Sequence, residues 1–309
     1  MDIKKVGLLG GRGYVGQEII ELLANHEHIN ISSVFSSSKV GQPVNLDADV
    51  ALLYQDLSID NIVLADEDAF ILALPDNESE KYIDLIQRHN ANSIIIDLSS
   101  DHRFDDAWEY RVPELSEQVR SNRISNPGCY ASAIQFMLTP LKNILKGSVN
   151  LYGVSGYSGA GASPNDRNDQ KVLKDNILPY SLVSHLHERE AKAHSYSKIL
   201  FTPHVGNFFR GILMTGNFML SETKNTKEIY NLFFDFYKEN KLISIHETLP
   251  NMQEVQKTSN VIIGGFEIDN EINRLTFCCA LDNLLKGGAT QAVQNLNSAF
   301  GWEDNLGIM

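Results

Sequence analysis

The chain has 309 residues, about twice the ~150 of a typical domain, so two domains or one large domain fit. Apolar residues make up 43% and charged residues 21%, which excludes a collagen-like chain and argues against a largely disordered one. The formal charge is −13, from 39 acidic and 26 basic residues without a concentrated basic stripe. Nucleic acid is therefore not an expected partner.

The sequence also shows no pattern typical of a membrane span or of an export signal. No apolar run approaches the ~18 residues of a membrane helix, and the N-terminus lacks a transit-peptide composition. We therefore expect no membrane partner. Three cysteines, two of them adjacent, cannot build a secreted disulfide framework, which favours a reducing cytoplasm.

The first half alternates short apolar runs with helical patterns. Alternation of this kind predicts βαβ units and a parallel sheet with helices on both faces. The number of strands between Asp49 and Leu64 stays open. The predicted strands are Lys4–Gly10, Ile29–Phe35, Ala69–Pro75 and Ser93–Asp97, and the predicted helices are Tyr14–Asn25 and Ser79–His89.

After Pro127 the pattern changes to long strands with few helices between them. This predicts an α+β half with a mostly antiparallel sheet, and the break falls near residues 126–148. A polar loop is expected over Ser155–Asn168. The predicted strands are Val149–Val154, Lys198–Val205, Phe208–Leu220, Val261–Asp269 and Arg274–Asp282, and the predicted helices are Cys129–Leu145, Thr226–Tyr237 and Ala289–Phe300.

A glycine-rich turn, GGRGYVG, separates the first predicted strand from the first helix. Missing Cβ atoms let the backbone approach a pyrophosphate, and a helix N-terminus offers unpaired N–H groups to it. A plain tight turn is the alternative. The strand–turn–helix context favours a dinucleotide site at Gly10, Arg12, Gly13, Tyr14, Val15 and Gly16.

The end of the second strand indicates which dinucleotide binds. NAD enzymes of this type carry an acidic residue ~20 positions after the glycines, which holds the ribose 2′-hydroxyl. Here the sequence is FSSSK, and no acidic residue occurs from position 28 to 46. The serine hydroxyls and the lysine of this segment suit a 2′-phosphate, so we predict that the cofactor is NADP. The alternative is that the segment is a solvated loop without a ligand. The expected contacts are Ser36, Ser37, Lys39 and, after the third strand, Pro75.

Cys129 follows Asn126-Pro127-Gly128 and opens an apolar helical run. A helix N-terminus stabilises a thiolate and lowers the pKa of a thiol there, which makes a nucleophile for an acyl group. From chemistry alone, a buried small residue is an equal alternative. Cys278 and Cys279 lie inside an apolar strand and are interpreted as packing residues.

The segment ISNPGCYA around Cys129 resembles the active-site signature of the N-acetyl-γ-glutamyl-phosphate reductase family, closest to its fungal reductase domain and bacterial relatives. Ser132 stands where the signature usually has Thr, and Leu186 replaces an arginine common between two histidines. Further similar blocks, in order from residue 7 to 295, are DLSSDHR at 97–103, VPEL at 112–115, GYSGAG at 156–161, FTPH at 201–204, RGI at 210–212 and DNLLKG at 282–287.

The resemblance implies a semialdehyde-dehydrogenase-like α/β protein. A Rossmann-type NADP-binding domain would span residues 1–128 and be completed by a C-terminal helix, 287–309. An α+β catalytic and oligomerisation domain would span 129–286. The implied reaction reduces N-acetyl-L-glutamyl 5-phosphate with NADPH to the 5-semialdehyde and phosphate, through a thioester on Cys129. This is the third step of arginine biosynthesis, and the family suggests a tetramer.

Site residues follow from the same resemblance. His187 is expected to be the proton shuttle. His185 is the alternative shuttle and an expected substrate contact, and His204 is the next candidate if neither carries the proton. Arg103 would bind the substrate phosphate, unless it forms a surface ion pair with Asp101 or Asp105. Asn283 would contact the nicotinamide, unless it is only a turn residue. The remaining expected contacts are Asn126 and Ser155 to substrate, and Ser158 and Gly159 to cofactor; no metal ligand is expected.

Three alternative functions are compatible with parts of the sequence. Aspartate-semialdehyde dehydrogenase shares the fold and the Cys/His pair, but the DLSSDHR, GYSGAG and DNLLKG blocks argue against it. A reductase of carrier-linked aminoadipyl phosphate is disfavoured, because the net acidic chain does not suit an acidic carrier. A regulatory NADP-binding protein is disfavoured by the intact Cys129 and histidines.

Overall fold

The structure, a computed structural model, describes residues 2–44, 52–63 and 65–308. The chain forms two compact units. The first comprises Met1–Pro127 and Gly288–Met309, and the second comprises Gly128–Gly287. No helix within the described residues is long and apolar enough to cross a membrane.

The first unit contains a seven-stranded sheet in which all neighbouring strands are parallel, in the order β3-β2-β1-β4-β5-β7-β6. The strand order reverses between β1 and β4, where open α/β sheets bind ligands. The strands are β1 Lys4–Leu9, β2 Ile29–Ser36, β3 Tyr54–Asp56, β4 Ala69–Leu72, β5 Ile94–Asp97, β6 Glu109–Tyr110 and β7 Arg123–Ser125.

Helices cover both faces of this sheet, as the βαβ pattern predicts. Side chains alternate along a strand, so Leu8 and Ile71 pack on one cluster, with residues of α1 and α8. Leu9 and Phe70 pack on the other cluster, with residues of α2 and α3. These helices are α1 Tyr14–Ala24, α2 Ile59–Val63, α3 Glu80–His89 and α8 Thr290–Ala299.

The second unit contains a mixed seven-stranded sheet in the order β12-β13-β14-β11-β8-β10-β9. Antiparallel pairs predominate, as predicted, but β12–β13 and β8–β10 are parallel. The strands are β8 Val149–Gly156, β9 Ile177–Pro179, β10 Ile199–Gly206, β11 Ile212–Met219, β12 Ile243–His246, β13 Val261–Asp269 and β14 Arg274–Leu281, and the helices are α4 Cys129–Leu138, α5 Gln170–Leu173, α6 Leu186–His194 and α7 Thr226–Tyr237.

Two predicted helices are too long. The helix expected over Cys129–Leu145 ends at Leu138, because Pro140 cannot donate the next backbone hydrogen bond and a 3₁₀ turn follows. The helix expected over 287–309 is α-helical over Thr290–Ala299 and is preceded directly by a π-helical turn, Leu285–Ala289; it ends early because Gly301, with φ +76°, leads into turns.

Four short strands were not predicted. Strands β6, β7, β9 and β12 have four residues or fewer and lack the run of three or more apolar residues that marks the equally short β4 and β5. Strand β3 and helix α2 lie in the stretch that the sequence left open, of which residues 49–51 and 64 are outside the described residues.

Candidate active site

Cys129 is the first residue of α4. Gly128 precedes it in an extended conformation (φ −77°, ψ 153°), and the residues that follow in the helix are buried, which fixes the helix against the second sheet. A Cβ added to Gly287 would lie 2.5 Å from the Cβ of Cys129, so glycine backbone runs directly beside the thiol. The Cys129 side chain is partly exposed, whereas burial raises the pKa of Cys278 and Cys279.

A buried carboxylate holds the residue before Cys129. The backbone N–H of Gly128 donates to Oε1 of Glu190 over 2.8 Å. Glu190 is fully buried and belongs to α6, the helix that also carries His187. This hydrogen bond links the start of α4 to α6.

The two predicted histidines lie together at the start of α6. His185 caps this helix, because its Nδ1 accepts the backbone N–H of His187 over 3.1 Å. Their rings are 5.0 Å apart, and the ring of Tyr130, the neighbour of Cys129, is 6.3 Å from His185 and 6.0 Å from His187. The structure thus brings both histidines to the beginning of α4.

Their neighbourhood distinguishes His185 from the other candidates. Burial, followed by the positive charge of Arg167, lowers the pKa of His185 to about 4, so its ring is neutral at neutral pH. His204 faces away from this cluster, since Phe201 on the same strand packs on Tyr130 and residues three apart point to opposite faces. The ring of His204 instead lies 4.3 Å from Tyr152.

The glycine–serine loop after β8 is held by Asn283. Its Nδ2 donates to Ser158 Oγ over 2.9 Å, and its Oδ1 accepts the N–H of Gly211 over 2.7 Å. A Cβ at Gly159 would lie 3.0 Å from Ser155 Oγ. These residues, all singled out from the sequence, are neighbours, and the buried Asn283 amide orders the loop.

The glycine turn of the first unit has the form of an anion cradle. Gly10 has φ +85°, and an added Cβ would lie 2.2 Å from the carbonyl oxygen of Ala73. A Cβ at Gly16 would lie 2.5 Å from the carbonyl oxygen of Gly10. Gly13 caps α1, and Tyr14 and Val15 begin it. The turn therefore leaves an open helix N-terminus, which fits a dinucleotide pyrophosphate.

The other cofactor candidates lie at the ends of the neighbouring strands. Ser36, the last residue of β2, accepts the backbone N–H of Lys39 over 3.3 Å. Lys39 Nζ lies 5.5 Å from the centre of the Tyr54 ring. Arg12 and Ser37 are exposed, and Pro75 is exposed beyond β4.

Arg103 is buried, which does not fit a surface ion pair. Its Nε donates to the carbonyl of Asn126 over 3.1 Å, and its Nη2 donates to the carbonyl of Leu98 over 2.8 Å. The side-chain amide of Asn126 is itself engaged, with the Gly288 carbonyl at 3.3 Å and Asn295 at 3.0 Å. Asn126 therefore contacts Arg103 through its backbone.

Three polar features of the structure were not predicted from the sequence. Glu190 and Arg167 were not singled out, because an acidic residue on a helix and a basic residue in a polar loop give no signal of their surroundings. The third is Asp97. Despite its burial, hydrogen bonds from His102 (2.7 Å) and Ser99 hold the Asp97 pKa below its usual value. A carboxylate closing an apolar strand could have indicated such a network.

Both units of this chain are similar to known protein families. A sequence model of the semialdehyde dehydrogenase NAD-binding domain matches residues 5–122, and one of the semialdehyde dehydrogenase dimerisation domain matches residues 129–283. The fold is shared with aspartate semialdehyde dehydrogenase II of Vibrio cholerae, with a TM-score of 0.81, 17% identity and coverage of 97% of this chain and 99% of that one.

Closer relatives are found among curated sequences. N-acetyl-γ-glutamyl-phosphate reductase of Xanthomonas campestris is 41% identical over 308 residues, 98% of each chain. The mitochondrial protein arg11 of Schizosaccharomyces pombe is 39% identical over 311 residues, which are 98% of this chain and 35% of that protein. At this identity and coverage, the chain belongs to the N-acetyl-γ-glutamyl-phosphate reductase family, within the semialdehyde dehydrogenases.

Proposed function

We propose that the chain is an oxidoreductase that reduces N-acetyl-L-glutamyl 5-phosphate to N-acetyl-L-glutamate 5-semialdehyde and phosphate, the third step of arginine biosynthesis. The name of the Xanthomonas relative supports this substrate. The observation that supports the proposal most is the position of Cys129 at the start of α4, next in the chain to Tyr130, whose ring lies 6.3 Å from that of His185 and 6.0 Å from that of His187.

Cys129 is the proposed nucleophile. Its thiolate attacks the acyl carbon, a C–S bond forms, the C–O bond to phosphate breaks, and phosphate leaves with the electron pair. His187 is the proposed proton shuttle: it takes the thiol proton before attack and gives a proton to the oxygen when the thioester is reduced. It takes that proton back as the thiohemiacetal collapses, when the C–S bond breaks, the C=O bond forms, and the semialdehyde leaves the Cys129 thiolate. His185 suits this task less, because its Nδ1 caps α6 and its pKa is lowered to about 4.

The first unit is the proposed cofactor domain and the second the proposed catalytic domain. NADPH, when bound, supplies the hydride that reduces the thioester. The glycine turn with Arg12 would hold its pyrophosphate, and Ser36, Ser37 and Lys39 its 2′-phosphate. The further proposed cofactor contacts are Tyr14, Val15, Pro75, Ser158, Gly159 and Asn283.

Arg103 is the proposed ligand of the substrate phosphate. Its planar guanidinium matches two phosphate oxygens, and the Asn126 carbonyl holds it in place. Ser155 and His185 are the other proposed substrate contacts. Ser155 is buried at the end of β8, and its Oγ donates to the carbonyl of Gly156 over 3.0 Å.

The test of the function is phosphate-dependent reduction of NADP, assayed with N-acetylglutamate semialdehyde and with aspartate semialdehyde. We expect kcat/KM to favour the acetylated substrate by at least 100-fold, roughly 3 kcal/mol. Equal or faster turnover of aspartate semialdehyde would contradict the substrate assignment.

The same assay tests the cofactor. We expect at least tenfold preference for NADP over NAD, about 1.4 kcal/mol, because the segment after β2 offers hydroxyls and Lys39 instead of a carboxylate. Equal use of the two cofactors would overturn this assignment.

We further propose a cytoplasmic homo-oligomer, a tetramer by family resemblance. The match to a dimerisation domain supports assembly, as do the exposed Tyr152 and Leu200 on the second sheet. Free thiols at all three cysteines suit a reducing compartment.

A further inference from the structure

The polar loop after the GYSGAG segment presents an arginine toward the histidine cluster. The guanidinium carbon of Arg167 lies 4.9 Å from the centre of the Tyr180 ring. The Tyr180 ring in turn lies 5.4 Å from the ring of His185. The charge of Arg167 also reaches His185, since it contributes, after burial, to lowering the His185 pKa.

This loop is ordered by its own side chains. The N–H of Arg167 donates to Asn165 Oδ1 over 3.0 Å, and the N–H of Asn165 donates to Asn168 Oδ1 over 2.9 Å. Asn168 Nδ2 donates to the Gly161 carbonyl over 2.9 Å. An arginine held on such a loop and over an aromatic ring loses less conformational entropy when it binds a ligand.

The chain supplies no acidic partner for this arginine. Within residues 2–44, 52–63 and 65–308, no carboxylate lies within salt-bridge distance of the Arg167 guanidinium, although the chain has 39 acidic residues. A guanidinium that has no carboxylate partner among the described residues and packs on Tyr180, the neighbour of His185, is suited to an anionic ligand group. The fork of an arginine matches a carboxylate best when two parallel hydrogen bonds form.

We infer that Arg167 binds the α-carboxylate of the substrate and determines specificity for it. This inference rests on the proposed function, in which the acyl carbon reacts at Cys129. The free carboxylate lies at the opposite end of the same carbon chain, so a second, separate cation is needed to recognise it. Arg167 is a specificity residue in this assignment and takes no part in bond formation.

The test pairs variants with substrates. Arg167→Gln, Arg167→Lys and the wild type are assayed with N-acetylglutamate semialdehyde and with its α-carboxamide analogue, which lacks the charge. For the carboxylate substrate, we expect Arg167→Gln to raise KM about 10- to 100-fold with little change in kcat, and Arg167→Lys to recover part of the loss. For the carboxamide analogue, Arg167→Gln and the wild type should have similar KM and kcat values.

Arg189→Gln is the matched control, because Arg189 is an exposed arginine of α6 whose charge also acts on His185. It should keep a KM near that of the wild type for both substrates. Loss of kcat/KM by the same factor on both substrates in Arg167→Gln would overturn the inference and indicate a structural role at Tyr180. A wild type that turns over neither substrate would contradict the proposed function itself.

Discussion

His185 and His187 differ in their surroundings although one residue separates them. His185 uses Nδ1 to cap α6, and its pKa is lowered to about 4 by burial and then by Arg167. A group that must stay neutral to cap a helix is a poor proton carrier at neutral pH. His187 lies within the first turn of the same helix, and its ring is 6.0 Å from that of Tyr130.

The histidine assignment predicts different kinetics for two variants. His187→Asn should lower kcat by roughly 10²- to 10⁴-fold, the span of general acid–base catalysis. His185→Asn should act mainly on KM, since asparagine still caps the helix and a substrate contact stabilises ground and transition states alike. Steady-state kinetics measure both effects, and thermal melts check folding.

The reverse pattern, with the large kcat loss in His185→Asn, would show that the two roles are exchanged. A loss of only severalfold in both variants would exclude both as the shuttle. His204 does not then become the next candidate, because its ring lies against Tyr152 on the opposite face of the sheet.

At the scale of elements, α6 is joined to its neighbours by two buried carboxylates. Glu190 accepts the N–H of Gly128 at the start of α4, and Glu188 accepts the N–H of Phe201 in β10 over 2.9 Å. Both glutamates are buried, so both bonds are shielded from water. We expect only the Glu190 bond to affect the reactivity of Cys129.

Glu190→Ala should reduce stability by about 1–3 kcal/mol, because it leaves the buried N–H of Gly128 without its acceptor. Glu190→Ala should also lower kcat and slow the alkylation of Cys129 by iodoacetamide. Glu190→Gln keeps an oxygen acceptor and should therefore retain most of the kcat and most of the alkylation rate. Glu188→Ala is the control, with a similar loss of stability and an unchanged alkylation rate. If kcat and the alkylation rate fall as far in Glu190→Gln as in Glu190→Ala, the hydrogen bond to Gly128 is not what supports the reactivity of Cys129.

Elements were predictable from the sequence where their pattern is long. The alternating strands and the helix after the glycine turn were found, whereas β6, of two residues, shows no period. Among site residues, Cys129 and the histidines could be found because motifs contain them. The burial of Glu190 and the packing of Arg167 on Tyr180 could not, because both depend on residues far apart in the sequence.

In the chain as a whole, the candidate nucleophile is the second residue of the second unit. The chain enters the second unit at Gly128 and leaves it at Gly287. These two ends pack together, since a Cβ at Gly287 would lie 2.5 Å from that of Cys129. A net charge of −13 does not attract an anionic substrate, which is why local cations, Arg103 and Arg167, are the proposed substrate ligands.

Covalent catalysis at Cys129 is tested most directly by omitting phosphate. The enzyme is mixed with NADP and N-acetylglutamate semialdehyde, quenched rapidly, and measured for NADPH and for intact mass. Without phosphate to release the acyl group, we predict a burst of about one NADPH per active site and an N-acetylglutamyl adduct on the peptide containing Cys129. Cys129→Ser should bind NADPH normally and show neither. Turnover on addition of phosphate without a preceding burst, or an adduct on Cys278 or Cys279 instead, would contradict this mechanism.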